Sequence, residues 1–285
     1  MSAQGCARVL PQRLRASGAT PDTTAVILAG GVGARFGNPR GKQYVDLCGL
    51  PVVAWSLLAF DRAPSVGRLV LVVSDERDDE VSDHVLPSVS LAKPLTLARA
   101  GSTRQDSVYS GLQAADDALP YVAVHDAARP LVDVSAIEGC IACLREGQGL
   151  AGAICCAPVT DTLKLVEGRS IIATPDRSLY RRAQTPQVFS LRRLREAHRA
   201  ARADAYLGTD DASLVERLGG RVACFPSSAA NIKVTVPEDY LVAQALMRAR
   251  LMGEGCGIDA ATLVAWGDEQ GPAALDRDAE KGGGR

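Results

Sequence analysis

The sequence is poor in aromatic residues, which make up 4% of its 285 positions. That scarcity argues against a stacking platform for single-stranded nucleic acid, where bases lie on successive rings. It also lacks a surplus of either charge, because 32 basic and 33 acidic side chains leave a net charge of -1. A general nucleic-acid coat shows a large basic excess, so no nucleic-acid partner is expected. A locally basic pocket for a phosphorylated small molecule stays open. No uninterrupted apolar run approaches the ~20 residues of a membrane helix, so no membrane partner is expected either. Residues 1–20 lack the apolar stretch of a secretory signal. They carry Arg8, Arg13 and Arg15 and no acid, and read as a disordered extension in preference to an organellar transit segment.

The eight cysteines are scattered. Cys140 and Cys143 form a C-x-x-C, but inside an expected helix and with no second pair at metal-ligand spacing. Cys155 and Cys156 lie in an apolar run, where a free thiol acts as a small hydrophobe. The pattern reads as buried thiols in a reducing, cytoplasmic setting. Composition divides the chain into a flexible N-terminal extension (1–23), a folded domain (24–251) and a C-terminal extension (252–285) that ends in a Gly-, Asp-, Glu- and Ala-rich tail.

Along the domain, short apolar runs alternate with helical spacing. Strands are expected at Thr24–Ala29, Leu69–Val73, Leu95–Ala100, Tyr121–His125 and Ala151–Cys156. Helices are expected at Pro51–Phe60, Arg104–Ala118 and Ile137–Leu144. This rhythm implies parallel βαβ units and an α/β, mostly parallel, doubly wound sheet. Residues 161–187 break it. Leu163–Val166, the turn Glu167-Gly168-Arg169, and Ser170–Ala173 read as a protruding β-hairpin arm. Helices near Leu191–Arg202 and Asp211–Leu218, strands near Arg221–Phe225 and Asn231–Thr235, and a helix from Pro237 complete the reading.

Ligands of such sheets bind beyond the carboxyl ends of the strands. Three segments stand there. Gly30-Gly-Val-Gly-Ala-Arg-Phe-Gly37 follows the first strand, and its glycines let backbone N–H groups approach an anion. It is neither a Walker loop nor a full G-x-G-x-x-G, but Arg35 and Lys42 suit a triphosphate. Gly101-Ser-Thr-Arg104-Gln-Asp-Ser107 opens a helix. Capping accounts for Ser102 alone, while Arg104 and Ser107 are balanced between structure and ligand contact. His125-Asp126-Ala-Ala-Arg129 ends a strand with a carboxylate whose burial calls for a metal or an arginine partner, so Mg²⁺ ligation by Asp126 is a candidate. His125 reads as a core group. Arg177 and Lys233 would pass for solvated surface on spacing alone.

Eight segments in order then resemble the 2-C-methyl-D-erythritol 4-phosphate cytidylyltransferases of the non-mevalonate isoprenoid pathway. They are L-A-G-G-V-G-A-R-F-G, G-K-Q-Y, G-S-T-R-Q-D-S-V, V-H-D-A-A-R-P, A-P-V-T-D-T-L-K, D-R-S-L-Y-R-R-A-Q-T-P-Q, T-D-D-A-S-L-V-E and N-I-K-V-T-V-P-E-D, running from about Thr24 to Met247. The resemblance implies a Rossmann-like nucleotidyltransferase fold, CTP and Mg²⁺, and a homodimer joined through the arm. It makes Arg35, Lys42, Arg177 and Lys233 the catalytic cations. It assigns Ala29, Gly30, Gly31, Gly33, Ser102, Arg104 and Ser107 to the nucleotide. Asp126, Arg129, Thr162, Arg177, Thr185, Thr209 and Lys233 are assigned to the polyol phosphate, with Thr162, Arg177 and Thr185 arriving from the partner's arm. Gly41 and Leu28 stand where the family often has proline. Two other readings are a cytidylyltransferase for ribitol 5-phosphate or another polyol phosphate, and a non-catalytic nucleotide-binding module.

Overall fold

The computed structural model describes residues 20–31, 36–38 and 40–253. Strand β1 (Thr23–Leu28) is followed by a small ladder of β2 (Asp46–Leu47) and β3 (Leu50–Pro51), which leads into helix α1 (Val52–Arg62). Strand β4 (Val66–Val73), a helical stretch over 75–88, β5 (Leu95–Arg99), helix α2 (Arg104–Gln113) and β6 (Tyr121–Asp126) come next. Helix α3 (Val134–Glu146) and β7 (Leu150–Pro158) precede a hairpin of β8 (Leu165–Glu167) and β9 (Ser170–Ala173). Then follow β10 (Arg181–Ser190), α4 (Leu191–Ala203), α5 (Asp211–Arg217), β11 (Arg221–Pro226) and α6 (Pro237–Gly253).

Seven strands make one sheet in the order β11–β7–β10–β6–β1–β4–β5. All neighbours are parallel except β10, which runs antiparallel to both β6 and β7. Successive residues of a strand face opposite sides. Ala25, Ile27, Leu69 and Leu71 therefore pack on Leu57 and Phe60 of α1 and on Ile137 and Ile141 of α3. Val26, Val70 and Val72 pack the other way, on Val108 and Leu112 of α2, Leu194 of α4 and Leu214 of α5. Helices cover both faces, as the doubly wound reading expects, and this is why the strands read as continuous apolar runs. A third cluster, including Trp55, Leu131, Val234 and Met247, seats α6 against the small ladder.

Three expectations are corrected. Helix α2 stops at Gln113, because Asp116 turns the chain by accepting Ala118 N–H on its own carboxylate. Residues 231–235 form no strand; Asn231 anchors them by side-chain bonds to the Thr185 carbonyl at 2.9 Å and to Gln184. Residues 181–187 of the expected arm belong to β10 in the main sheet. The protruding part is the hairpin itself. Its turn is only Gly168-Arg169, with Gly168 at φ 56, a conformation glycine adopts without strain. The readings for residues 1–19 and 254–285 lie outside the described residues.

Candidate active site

A cavity of about 340 Å³ opens at the carboxyl ends of β1 and β6, where the sheet geometry expects a ligand. Two glycines let its walls meet. A Cβ on Gly30 would stand 2.2 Å from Ala100 Cβ, and one on Gly101 would stand 2.3 Å from Asp106 Cβ. The wall after β5 is braced by the start of α2. Thr103, not Ser102, caps that helix, its Oγ1 accepting Asp106 N–H at 3.0 Å. Ser102 donates instead to Asp106 Oδ2 at 2.8 Å. Ser107 Oγ donates to the Thr103 carbonyl at 2.9 Å and accepts Gly101 N–H at 3.1 Å. Across the cavity, Gln43 Nε2 donates to the Gly31 carbonyl at 2.9 Å and Tyr44 donates to the Ala29 carbonyl at 2.9 Å.

Asp126 is the electrostatic centre. It ends β6 and is, among the described residues, the one carboxylate lining the cavity, together with Lys42, Arg104 and Lys233. Arg104 Nε donates to its Oδ1 at 3.2 Å, and Lys233 Nζ donates to its Oδ2 at 2.8 Å. Burial would push this carboxyl up, but Arg104, Lys233 and Arg129 hold it well below the usual carboxylate range. Arg104 also donates from Nη1 to Asp211 Oδ2 at 2.9 Å, and Asp211 receives His198 Nε2 at 3.0 Å on its other oxygen. Burial opposes charge on Arg104, yet Asp211 and Asp126 outweigh it and raise its pKa further.

Thr185 underpins Asp126. Its Oγ1 accepts Asp126 N–H at 3.1 Å and lies 3.0 Å from His125 Nδ1. The Arg129 carbonyl, 3.3 Å from Nε2, can only accept, so the ring proton is on Nε2 and the Thr185 hydroxyl donates to Nδ1. Burial pushes His125 down to about 3, which keeps the imidazole neutral. His125 is thus the core group expected.

The chain's relatives fit this geometry. A family model described as 2-C-methyl-D-erythritol 4-phosphate cytidylyltransferase matches residues 23–249. The chain belongs to that family. A Bacillus cereus cytidylyltransferase of this name is 37% identical over 227 residues, covering 80% of this chain and 98% of the relative. One from Prochlorococcus marinus is 42% identical over 226 residues, covering 79% and 98%. The crystal structure of the Thermus thermophilus enzyme of the same name superposes with a TM-score of 0.63 at 30% identity, covering 78% of this chain and 98% of that one.

Placed against the residues that the cytidylyltransferase resemblance assigns, the structure brings Gly30, Gly31, Lys42, Ser102, Arg104, Ser107, Asp126 and Lys233 to one cavity. Ala29 is buried behind it, with its N–H on the Val72 carbonyl. Arg129 donates to the Asn231 carbonyl at 2.7 Å and keeps a buried Nε without a partner among the described residues. Thr209 lines a smaller adjoining pocket of about 140 Å³ on the far side of Arg104. Thr162 and Arg177 are exposed beside the hairpin, Arg177 donating to the Thr160 carbonyl at 2.5 Å. Thr185 corrects its assignment. It is buried in its own subunit with its hydroxyl spent on Asp126 and His125, so it does not reach over from a partner's arm. Gly33 and Arg35 lie outside the described residues.

Sequence reasoning missed Gln43, His198 and Asp211. The doubled acid Asp210-Asp211 carried a signal. Asp210 caps α5 through Ser213 N–H at 2.9 Å, which leaves the second acid in need of a cation. At Gly41, φ is 79 and the N–H donates to the Asn38 carbonyl, so this loop takes a form proline cannot adopt. As for a metal, the described residues contain no group of three His, Cys, Asp or Glu side chains able to hold one. A single carboxylate fits a Mg²⁺ that travels with nucleotide phosphates, not a resident metal cage.

Proposed function

We propose that the protein transfers CMP from CTP to 2-C-methyl-D-erythritol 4-phosphate, releasing pyrophosphate, as a step of isoprenoid precursor synthesis. The observation that carries this reading is the cavity with Lys42, Arg104 and Lys233 around the single acid Asp126, in a chain of this family. Both reactants are anions, and their meeting needs surplus positive charge.

A phosphate monoester oxygen is nucleophilic at neutral pH, so no strong general base is needed. It attacks the α-phosphorus of CTP in line. A new P–O bond forms, the α–β bridging P–O bond breaks, and its electron pair leaves on pyrophosphate. Positioning and charge stabilisation then do most of the catalysis. Lys42, with Arg35, holds the triphosphate. Gly30, Gly31, Ser102 and Arg104 face the nucleotide. Lys233 exchanges Asp126 for the incoming phosphate, and Arg129 holds the Lys233 segment in place through the Asn231 carbonyl. Mg²⁺ bound with the triphosphate would supply charge neutralisation, with Asp126 as its one carboxylate ligand.

The acceptor side needs a second subunit. The hairpin exposes Leu165, Val166, Ile171 and Ile172, and the following turn exposes Leu179 at 81%. An isolated two-stranded hairpin with such a surface is marginal in water, which supports a homodimer gripped through the arm. Arg177 and Thr162 would then serve the partner's cavity. Free thiols throughout the described residues support a cytoplasmic location. Residues 24–251 are taken as the catalytic domain, and the two ends as extensions to it.

The test is pyrophosphate release from CTP, with methylerythritol phosphate and ribitol 5-phosphate compared at fixed CTP and Mg²⁺. Release that depends on methylerythritol phosphate is expected. Preference for ribitol 5-phosphate would change the acceptor, and no release from folded dimer with either acceptor would leave only a nucleotide-binding module.

A further inference from the structure

Asp211 opens α5, yet Asp210 already caps that helix, so Asp211 has no capping task. Its carboxylate is buried, as is the His198 ring on α4. Burial pushes the Asp211 carboxyl up, but Arg104 and His198 together hold it below the usual range. Gln187 Oε1 accepts the backbone N–H groups of Asp211 and Ala212, at 3.2 and 3.3 Å, fixing where that carboxylate starts.

The His198 ring has one polar bond, Nε2 to Asp211 Oδ1 at 3.0 Å; its Nδ1 is buried without a partner among the described residues. The ring also lies tilted against Tyr109, with centroids 6.4 Å apart, a contact that an aromatic replacement keeps. Its distinctive contribution is that one N–H. With Oδ1 occupied, Asp211 offers only Oδ2 to Arg104 Nη1, at 2.9 Å, and Arg104 keeps its Nε for Asp126 at 3.2 Å. Without the N–H, both Asp211 oxygens are free to draw the guanidinium into a bidentate pair and away from Asp126.

We propose that His198 is a positioning residue for the nucleotide side of the cavity. It acts through Asp211 to fix the Arg104 guanidinium against Asp126, and never touches substrate. The inference rests on the cytidylyltransferase reading for its kinetic test alone.

That reading is kept separate by measuring Arg104 directly. In ¹⁵N NMR, with the signal assigned by its loss in Arg104→Lys, hydrogen exchange at Arg104 Nε is expected to quicken about tenfold in His198→Phe and to stay near wild type in His198→Gln, which returns an amide N–H. In turnover, His198→Phe should raise the CTP KM about tenfold with kcat within about threefold, and His198→Gln should restore KM. Added to Arg104→Ala, His198→Phe should cost nothing further, because its effect runs through Arg104. Unchanged Arg104 exchange in folded His198→Phe overturns the proposal, as does an equal rise in KM in both Arg104 backgrounds. If His198→Phe fails to fold, Asp211→Asn cuts the same link, and unchanged Arg104 exchange there overturns it equally. A wild-type protein without CTP turnover would sink the proposed function while leaving the exchange measurement decisive.

Discussion

Replacing Asp126 by asparagine separates its two tasks, because they predict opposite changes. In the free protein its carboxylate accepts Arg104 at 3.2 Å and Lys233 at 2.8 Å. Removing one partner of a buried ion pair costs about 3–5 kcal/mol when the remaining charge stays buried. Here the orphaned side chains retain 39% exposure at Lys233 and 32% at Arg104 and can regain water, so the cost falls to about 1–2 kcal/mol. At about 2–4 °C per kcal/mol for a domain of this size, the melting temperature should drop by about 2–8 °C. Among the described residues the cavity then holds three cations and no acid. CTP binding measured by calorimetry in EDTA should therefore tighten, even as the fold weakens. Turnover should fall about 10²-fold, because Arg104 and Lys233 are no longer held in place. A variant that binds CTP more weakly in EDTA and turns over within about threefold of wild type would refute the reasoning and reduce Asp126 to a structural bridge.

Two further predictions concern other parts of the molecule. His125 is pushed down to about 3 in the fold by burial, against about 6.5 when unfolded, so between those values the unfolded chain binds a proton that the folded one refuses. Its contribution is present above pH 6.5 and is lost as pH falls. Urea titrations should show wild type losing about 2 kcal/mol more than His125→Asn between pH 7 and 5, and parallel losses would contradict this. On the arm, Ile171→Asp with Leu179→Asp changes two exposed side chains and should leave the fold of the subunit intact by circular dichroism. The pair should yield monomers by analytical ultracentrifugation and lower turnover more than about tenfold, whereas a fully active monomer would remove the arm from the mechanism.

Strands β1, β4, β6 and β7 were legible because each is largely buried on both faces, and such a strand must be a continuous apolar run. Strand β10 was not. Its first three residues, Arg181, Arg182 and Ala183, are exposed, Pro186 interrupts it, and its register against β7 shifts between Ala183 and Gln187. Nothing local distinguishes that from a loop, since its partners β6 and β7 are fixed by tertiary packing. Thr185 was misassigned for the same reason. Placed in an arm, it faces a neighbour; placed in the sheet, it lies under Asp126. The cavity cations Lys42, Arg104 and Lys233 were found, Lys233 by resemblance alone, because a single lysine in extended structure carries no periodic signal. Asp211 and His198 were passed over because the doubled acid Asp210-Asp211 shows that one acid needs a partner, but not that the partners lie on α2 and α4.

These distant contributions explain how a cavity meant for two anions survives without them. Its positive charges do not face one another bare. Lys233, Asp126, Arg104, Asp211 and His198 alternate in one bonded string, at 2.8, 3.2, 2.9 and 3.0 Å. Lys233 and Arg104 therefore each already have an acidic partner, which limits the repulsion that the clustered cations would otherwise cost the folded state. An arriving phosphate need not create an interaction from nothing. In the proposed reaction it would replace the Asp126 oxygen at Lys233, leaving that carboxylate free to accept elsewhere. Arg104 is excused from this exchange, because Asp211 holds it from behind. One cation that lets go and one that stays put is the arrangement a transfer between two anions needs, since the first must follow the incoming phosphate and the second must keep the nucleotide still.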